Sequence, residues 1–251
     1  MTAKNSQLDH TYLKYFLLLV ILNFLSISSA YAEAEYSQTS ASFSNKELYP
    51  TGLEFNTDGD KMYITGTQGS NVTQYSLTTP FDVSTIAFEG ETDNAGYFVS
   101  DVAFNSDGTK MFLAGYRDSI AEYNLGTPFD VRTASLVNDG HTIAGLGTQP
   151  KSFAFNDDGM RMFIAESATI RAYDLSISYD VSSAVSAETY ETTYGVITGL
   201  VFNSDGSRIF TTAQDNDSVN EYAMPTTYNI TYTISIGIFK IYEYGENNPK
   251  G

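Results

Sequence analysis

Between Thr51 and Ile236 apolar and polar positions alternate with a period of two, interrupted by turn residues, and the whole arrangement recurs four times. Period two places successive side chains on opposite faces of a strand. Val102 and Phe104 share one face with Ala103 on the other, and Leu53/Phe55, Phe153/Phe155 and Leu200/Phe202 repeat the pair. Each pair leads into Asn-x-Asp-Gly: Asn56-Thr57-Asp58-Gly59, Asn105-Ser106-Asp107-Gly108, Asn156-Asp157-Asp158-Gly159 and Asn203-Ser204-Asp205-Gly206. This fits a type I turn with Asn first and a left-handed Gly last, closing a hairpin. The second strand is apolar on both faces, as in Met111/Leu113 against Phe112/Ala114, and so packs between neighbouring sheets. A half-polar third strand carries Tyr75/Leu77, Tyr123/Leu125, Tyr173/Leu175 and Tyr222/Met224. Thr79-Pro80-Phe81-Asp82 and Thr127-Pro128-Phe129-Asp130 then turn the chain, while Ser178-Tyr179-Asp180 lacks the Pro and Thr227-Tyr228-Asn229 lacks the Asp. A fourth strand is expected at Ile86–Glu89, Ala134–Val137 and Ala184–Ala187.

Phe55, Phe104, Phe155 and Phe202 lie 49, 51 and 47 residues apart, within the range of propeller blades. Four antiparallel strands per unit, in a meander with no helical segment, predict an all-β propeller of about four four-stranded blades, either a small closed ring or an incomplete arc of a larger one. The units are placed near 51–89, 101–137, 152–187 and 199–236. The motif F-N-x-D-G-x-K/R-M-F/Y-I/L-A/T resembles the YVTN-type blade repeat and, more loosely, TolB-like and lactonase-like propellers. The likeness spans about Thr39–Thr231 and implies a fold, since both binding scaffolds and enzymes are built on such blades. Thr39–Ser44 resembles the fourth-strand stretch of the second unit, Thr133–Asn138, and is read as a detached closing strand that would cover a sheet edge. The propeller domain is thus placed at 39–236 and a tail at 237–251.

Lys4 and Lys14 flank the start of an apolar run, Phe16–Leu25, followed by Ala30-Tyr31-Ala32. That is the pattern of a secretory signal peptide over residues 1–32, too short in its apolar core to span a bilayer, with a flexible leader at 33–38. A secreted or periplasmic location follows, with no membrane insertion after cleavage. Cleavage after Ala32 removes Lys4, Lys14 and Asp9 and takes the formal charge from −17 to −18. So acidic a chain repels phosphate backbones, which argues against nucleic acid as a partner. Without cysteine there is neither a disulfide framework nor a thiolate metal site.

Candidate chemistry is sparse. After cleavage His141 is the one histidine, and no Gly-x-Ser-x-Gly turn supplies a nucleophile for a triad. The acidic turns invite a calcium reading, but counting from Asn56 puts Gly59 fourth and Thr67 twelfth, which does not fit an EF-type loop. No Gly-rich phosphate loop opens a helix, so neither metal nor cofactor is expected. Asn71-Val72-Thr73, Asn216-Asp217-Ser218 and Asn229-Ile230-Thr231 match the glycosylation triplet. What remains is an asymmetry: the Asn-x-Asp-Gly and Pro-Phe-Asp turns share one end of the blades, whereas the loops at the other end differ in every unit. Variation gathered on one face of a repeat protein marks a binding surface, with Tyr97, Phe98, Tyr116, Arg117, His141, Tyr194 and Asp215 as candidate contacts. The sequence therefore reads as a binding scaffold for a protein or glycan, without catalytic residues of its own and able to self-associate if the ring is incomplete. A lactonase-like hydrolase and a purely structural surface protein are the alternatives. A deep central pocket with convergent carboxylates would favour the enzyme.

Overall fold

The computed structural model describes residues 46–67, 69–93, 98–115, 119–141, 143, 150–215 and 217–240, with the backbone alone at 139–141. The expected signal segment, leader, closing strand and C-terminal tail beyond 240 lie outside the described residues. Among the described residues sixteen strands form four antiparallel sheets, each a simple meander, arranged as a four-bladed propeller. Blade one holds β1 (Pro50–Phe55), β2 (Lys61–Gly66), β3 (Val72–Leu77) and β4 (Ile86–Glu91). Blade two holds β5 (Asp101–Phe104), β6 (Lys110–Ala114), β7 (Ile120–Leu125) and β8 (Ala134–His141). Blade three holds β9 (Ser152–Phe155), β10 (Arg161–Glu166), β11 (Thr169–Leu175) and β12 (Ala184–Glu191). Blade four holds β13 (Ile197–Phe202), β14 (Arg208–Ala213), β15 (Ser218–Ala223) and β16 (Ile234–Lys240).

The outer strands β4, β8 and β12 run longer than their alternation predicts, and β16 continues to Lys240. The cause is a register shift in the same place of every blade, between Gln74/Tyr75, Glu122/Tyr123, Ala172/Tyr173 and Glu221/Tyr222. A bulge inserts an unpaired residue, so the period-two pattern breaks although the ladder resumes.

The repeated turns work as a pair. In each hairpin the Gly N–H donates to the Asn carbonyl at 3.0 Å, and the Asn side chain accepts the backbone N–H of the residue five positions on, Lys61, Lys110, Arg161 or Arg208. The four glycines sit at φ between +65° and +70°. Phe81, Phe129, Tyr179 and Tyr228 also adopt left-handed φ, 54° to 59°, which costs a non-glycine residue about 1 kcal/mol or more. Each donates its N–H to the glycine carbonyl at 2.9 Å and lays its ring where a glycine Cβ would project. Asp82, Asp130 and Asp180 then cap a 3-10 turn by accepting from Ser84, Arg132 and Ser182 N–H. Asn229 does the same for Thr231 N–H, which explains why the fourth unit manages without the Asp.

The core lies between blades rather than within any one sheet. Tyr63 of blade one meets Phe104 of blade two at 4.4 Å between ring centroids, Phe112 meets Phe155 at 4.7 Å, and Phe163 meets Phe202 at 4.6 Å. Around each pair sits a buried apolar cluster drawn from both blades. Polar bonds recur beside the rings: Tyr63 Oη donates to Phe129 O at 2.7 Å, Lys110 Nζ to Tyr179 O at 2.8 Å, and Arg161 Nη1 to Tyr228 O at 2.9 Å. Gln74, Glu122 and Glu188 accept from the N–H groups of Val131, Val181 and Ile230. Among the described residues the buried clusters join blades one and two, two and three, and three and four, while a fourth is drawn from blade one alone.

Candidate functional site

Equivalent residues of the four innermost strands come together at the propeller axis. Pairing registers place Gly52, Asp101, Ser152 and Gly199 in one layer and Glu54, Ala103, Ala154 and Val201 in the next. Alternation puts these on one face of each strand, while Leu53/Phe55, Val102/Phe104, Phe153/Phe155 and Leu200/Phe202 turn the other way. Together the two layers line a groove of about 760 Å³ that also takes in Thr51, Phe104, Thr198, Phe210 and Thr212. Its size falls within the range of small-molecule sites.

A polar belt holds the first layer. Ser152 Oγ donates to Asp101 Oδ2 at 2.7 Å and accepts Leu200 N–H at 3.1 Å, linking blades two, three and four. Phe153 N–H also reaches Asp101 Oδ2, at 3.1 Å, and Val102 N–H reaches Oδ1 at 2.9 Å. Thr51 Oγ1 donates to Val99 O, and Ser100 Oγ to Pro150 O, at 2.9 and 2.6 Å. Burial pushes the Asp101 carboxyl up to about 6, against the pull of its three donors. Glu54 is pushed further, to about 7, chiefly by burial and secondly by the negative charge of Asp101; the backbone N–H of Phe55 opposes the shift. Among the described residues no cation pairs with either carboxyl. Two carboxyls whose proton affinity is raised towards neutrality in a concave, partly apolar site are the strongest functional signal among the described residues.

Neither was among the residues singled out from sequence. They stand where the other repeats hold Ala103, Ala154 and Val201, or Gly52, Ser152 and Gly199, so the legible signal was an acid at a position its sister units keep small. Of the expected loop contacts, Tyr97, Tyr116 and Arg117 lie outside the described residues. His141 ends β8 opposite Ile120, and its side chain is outside the description. Phe98 is 54% exposed at φ 57°. Tyr194 is half-buried, its ring 6.4 Å from that of Tyr222 and its hydroxyl 3.4 Å from Ser235 Oγ, so it packs on the interface between blades three and four. Asp215 is exposed and accepts Val196 N–H at 3.1 Å, bracing its own end of the blade. Phe98 leads into β5, whose first residue is Asp101, and Val196 precedes β13; the structure brings Tyr194 and Asp215 to blade four. Among the described residues no three His, Asp or Glu side chains converge as metal ligands.

No family model matches the chain, and no curated protein matches it. Among solved structures, a functionally unknown protein from Desulfotomaculum acetoxidans DSM 771 is similar, with a TM-score of 0.52 and 13% sequence identity over 76% of this chain and 57% of that one. This chain thus spans little more than half of that protein's length, and the likeness is one of fold alone.

Proposed function

We propose that the mature protein is an exported binding scaffold that takes a polar ligand, a glycan or a basic protein segment, into the axial groove where it opens towards the variable loops. The observation that supports this reading is Glu54, a carboxyl without a countercharge beside Asp101 on the wall of a 760 Å³ groove. Hydroxyl and ammonium groups both offer hydrogen atoms to carboxylates, and a bond to an ionised acceptor contributes about 1.5–3 kcal/mol. Phe104 and Phe155 give the apolar edges that sugar rings or aliphatic stems require. The YVTN-like repeat belongs to this reading as a scaffold type, and the N-terminal segment as its export signal, so exported protein is expected to begin at Glu33.

The test is a glycan and peptide array probed with mature protein, followed by titration of the retained compound against the parent and Glu54→Gln. The parent should bind, and the substitution should weaken binding about tenfold or more, the loss of one charged hydrogen bond. Equal binding by both proteins would place recognition outside the groove. A second reading, hydrolysis, draws on the same pair, because carboxyls poised at about 7 and about 6 suit general acid–base work. Turnover of a lactone, ester or glycoside abolished by Glu54→Gln, with the fold intact, would favour it over the scaffold.

A further inference from the structure

The two ends of the blade array each carry half of an interface that occurs three times within it. On the side of a blade facing its successor, the ring of Tyr63, Phe112 or Phe163 is buried against the next blade. Phe210 holds the same register in blade four, opposite Val201 and Glu221, yet it is only half-buried, and Val201 is 58% exposed. On the side facing a predecessor, Val102, Phe153 and Leu200 are 1%, 3% and 8% exposed, whereas Leu53 of blade one is 56% exposed. Phe81 is exposed as well, while Phe129, Tyr179 and Tyr228 are half-covered by the blade before them. Phe55 and Phe81 already touch, at 5.3 Å between centroids, as Phe104 does with Phe129, Phe155 with Tyr179 and Phe202 with Tyr228. What the first pair lacks is the preceding ring.

The polar groups match in the same way. Arg208 stands where Lys110 and Arg161 reach a carbonyl of the next blade, and Glu221 where Gln74 and Glu122 accept an N–H from it. Their counterparts on blade one are Phe81 C=O and Val83 N–H, for which no described group supplies a bond. Arg208 and Glu221 pair with each other, as Lys110 and Glu122 do at the same register while also bonding to blade three.

We propose that blade four receives blade one of a second copy of this chain, head to tail, with Phe210 seated on Phe55 and Phe81. A heterologous contact of this kind closes into a ring or runs on as a filament, and two four-bladed chains make eight blades, the upper end of the usual propeller range. The second copy is the occupant whose surface is already shown to fit, since the contact continues an interface built three times inside each chain.

The experiment is sedimentation equilibrium of the full exported chain over a wide concentration range, with Leu53→Asp and Val201→Asp. Both residues are exposed, so each variant should keep the parent's circular dichroism. The parent should sediment at twice the chain mass, each variant alone as a monomer, and an equimolar mixture should associate again, because an intact tail from one meets an intact head from the other. A monomeric parent overturns the proposal, meaning that the chain's own residues or closure within one chain cover these faces. So does a parent dimer untouched by either substitution, or variants that fail to complement each other.

Discussion

At the residue scale two positions show opposite uses of a departure from average chemistry. Gly108 is needed twice, for φ +70° and because the Phe129 ring fills the place of its missing Cβ. Gly108→Ala should therefore cost more than the roughly 1–2 kcal/mol of a left-handed alanine, since overpacking adds about 1–3 kcal/mol. Chemical denaturation checks it, and a loss of a few tenths would mean the ring moves aside freely. The sequence made the first requirement legible through Asn-x-Asp-Gly, but not the second, because Phe129 lies 21 residues away and its stacking depends on another turn. Glu54 departs in the other direction. Its folded value of about 7 lies above the ordinary 4.5, so the folded chain holds the proton more tightly than the unfolded one. Its contribution to stability is then greatest at low pH and falls as pH rises from about 4.5 through 7. Glu54→Gln should remove on the order of 2 kcal/mol of that fall, seen as a higher midpoint of thermal unfolding at pH 8 and little change at pH 4. A parallel loss at both values would refute the assignment.

At the scale of elements the innermost strands depend on Ser152 more than their apolar content suggests. It donates to Asp101 and accepts from Leu200 N–H, and it is 5% exposed, so removing the hydroxyl takes one of three donors from the carboxyl and leaves a backbone N–H without its partner. Ser152→Ala should destabilise by about 2–3 kcal/mol and raise the Asp101 proton affinity further, whereas Ser152→Thr, which keeps the hydroxyl, should cost less. Hydrogen exchange at the Leu200 amide reads the same event locally, and unchanged protection there would count against the belt. This link was not legible beforehand, because serine in a Ser-rich chain carries no signal until the sheets are assembled. The four-strand meander was legible because four copies of one pattern average out the noise of any single unit. The outer strand ends were not, because each bulge breaks the alternation on which the reading rests.

At the scale of the whole molecule, function follows from how equivalent positions converge. Repetition places the same residue of every blade around one axis, so a single acid among small residues becomes a distinct point on a wall. Of the loop residues that first drew notice, Asp215 braces its blade and Tyr194 packs between blades three and four. The groove, by contrast, takes residues from all four blades and cannot exist in any one of them. The proton affinity of Glu54 therefore reports on the assembled axis as well as on the site. The most direct measurement is a carbon-13 NMR titration of the side-chain carboxyls of the intact chain, with Glu54→Gln to assign the resonance. A midpoint near 7 for Glu54, against the ordinary 4.5, is the expected result. A midpoint at the ordinary value would mean a water-filled axis that leaves the carboxyl unperturbed, and would contradict the groove as the binding site.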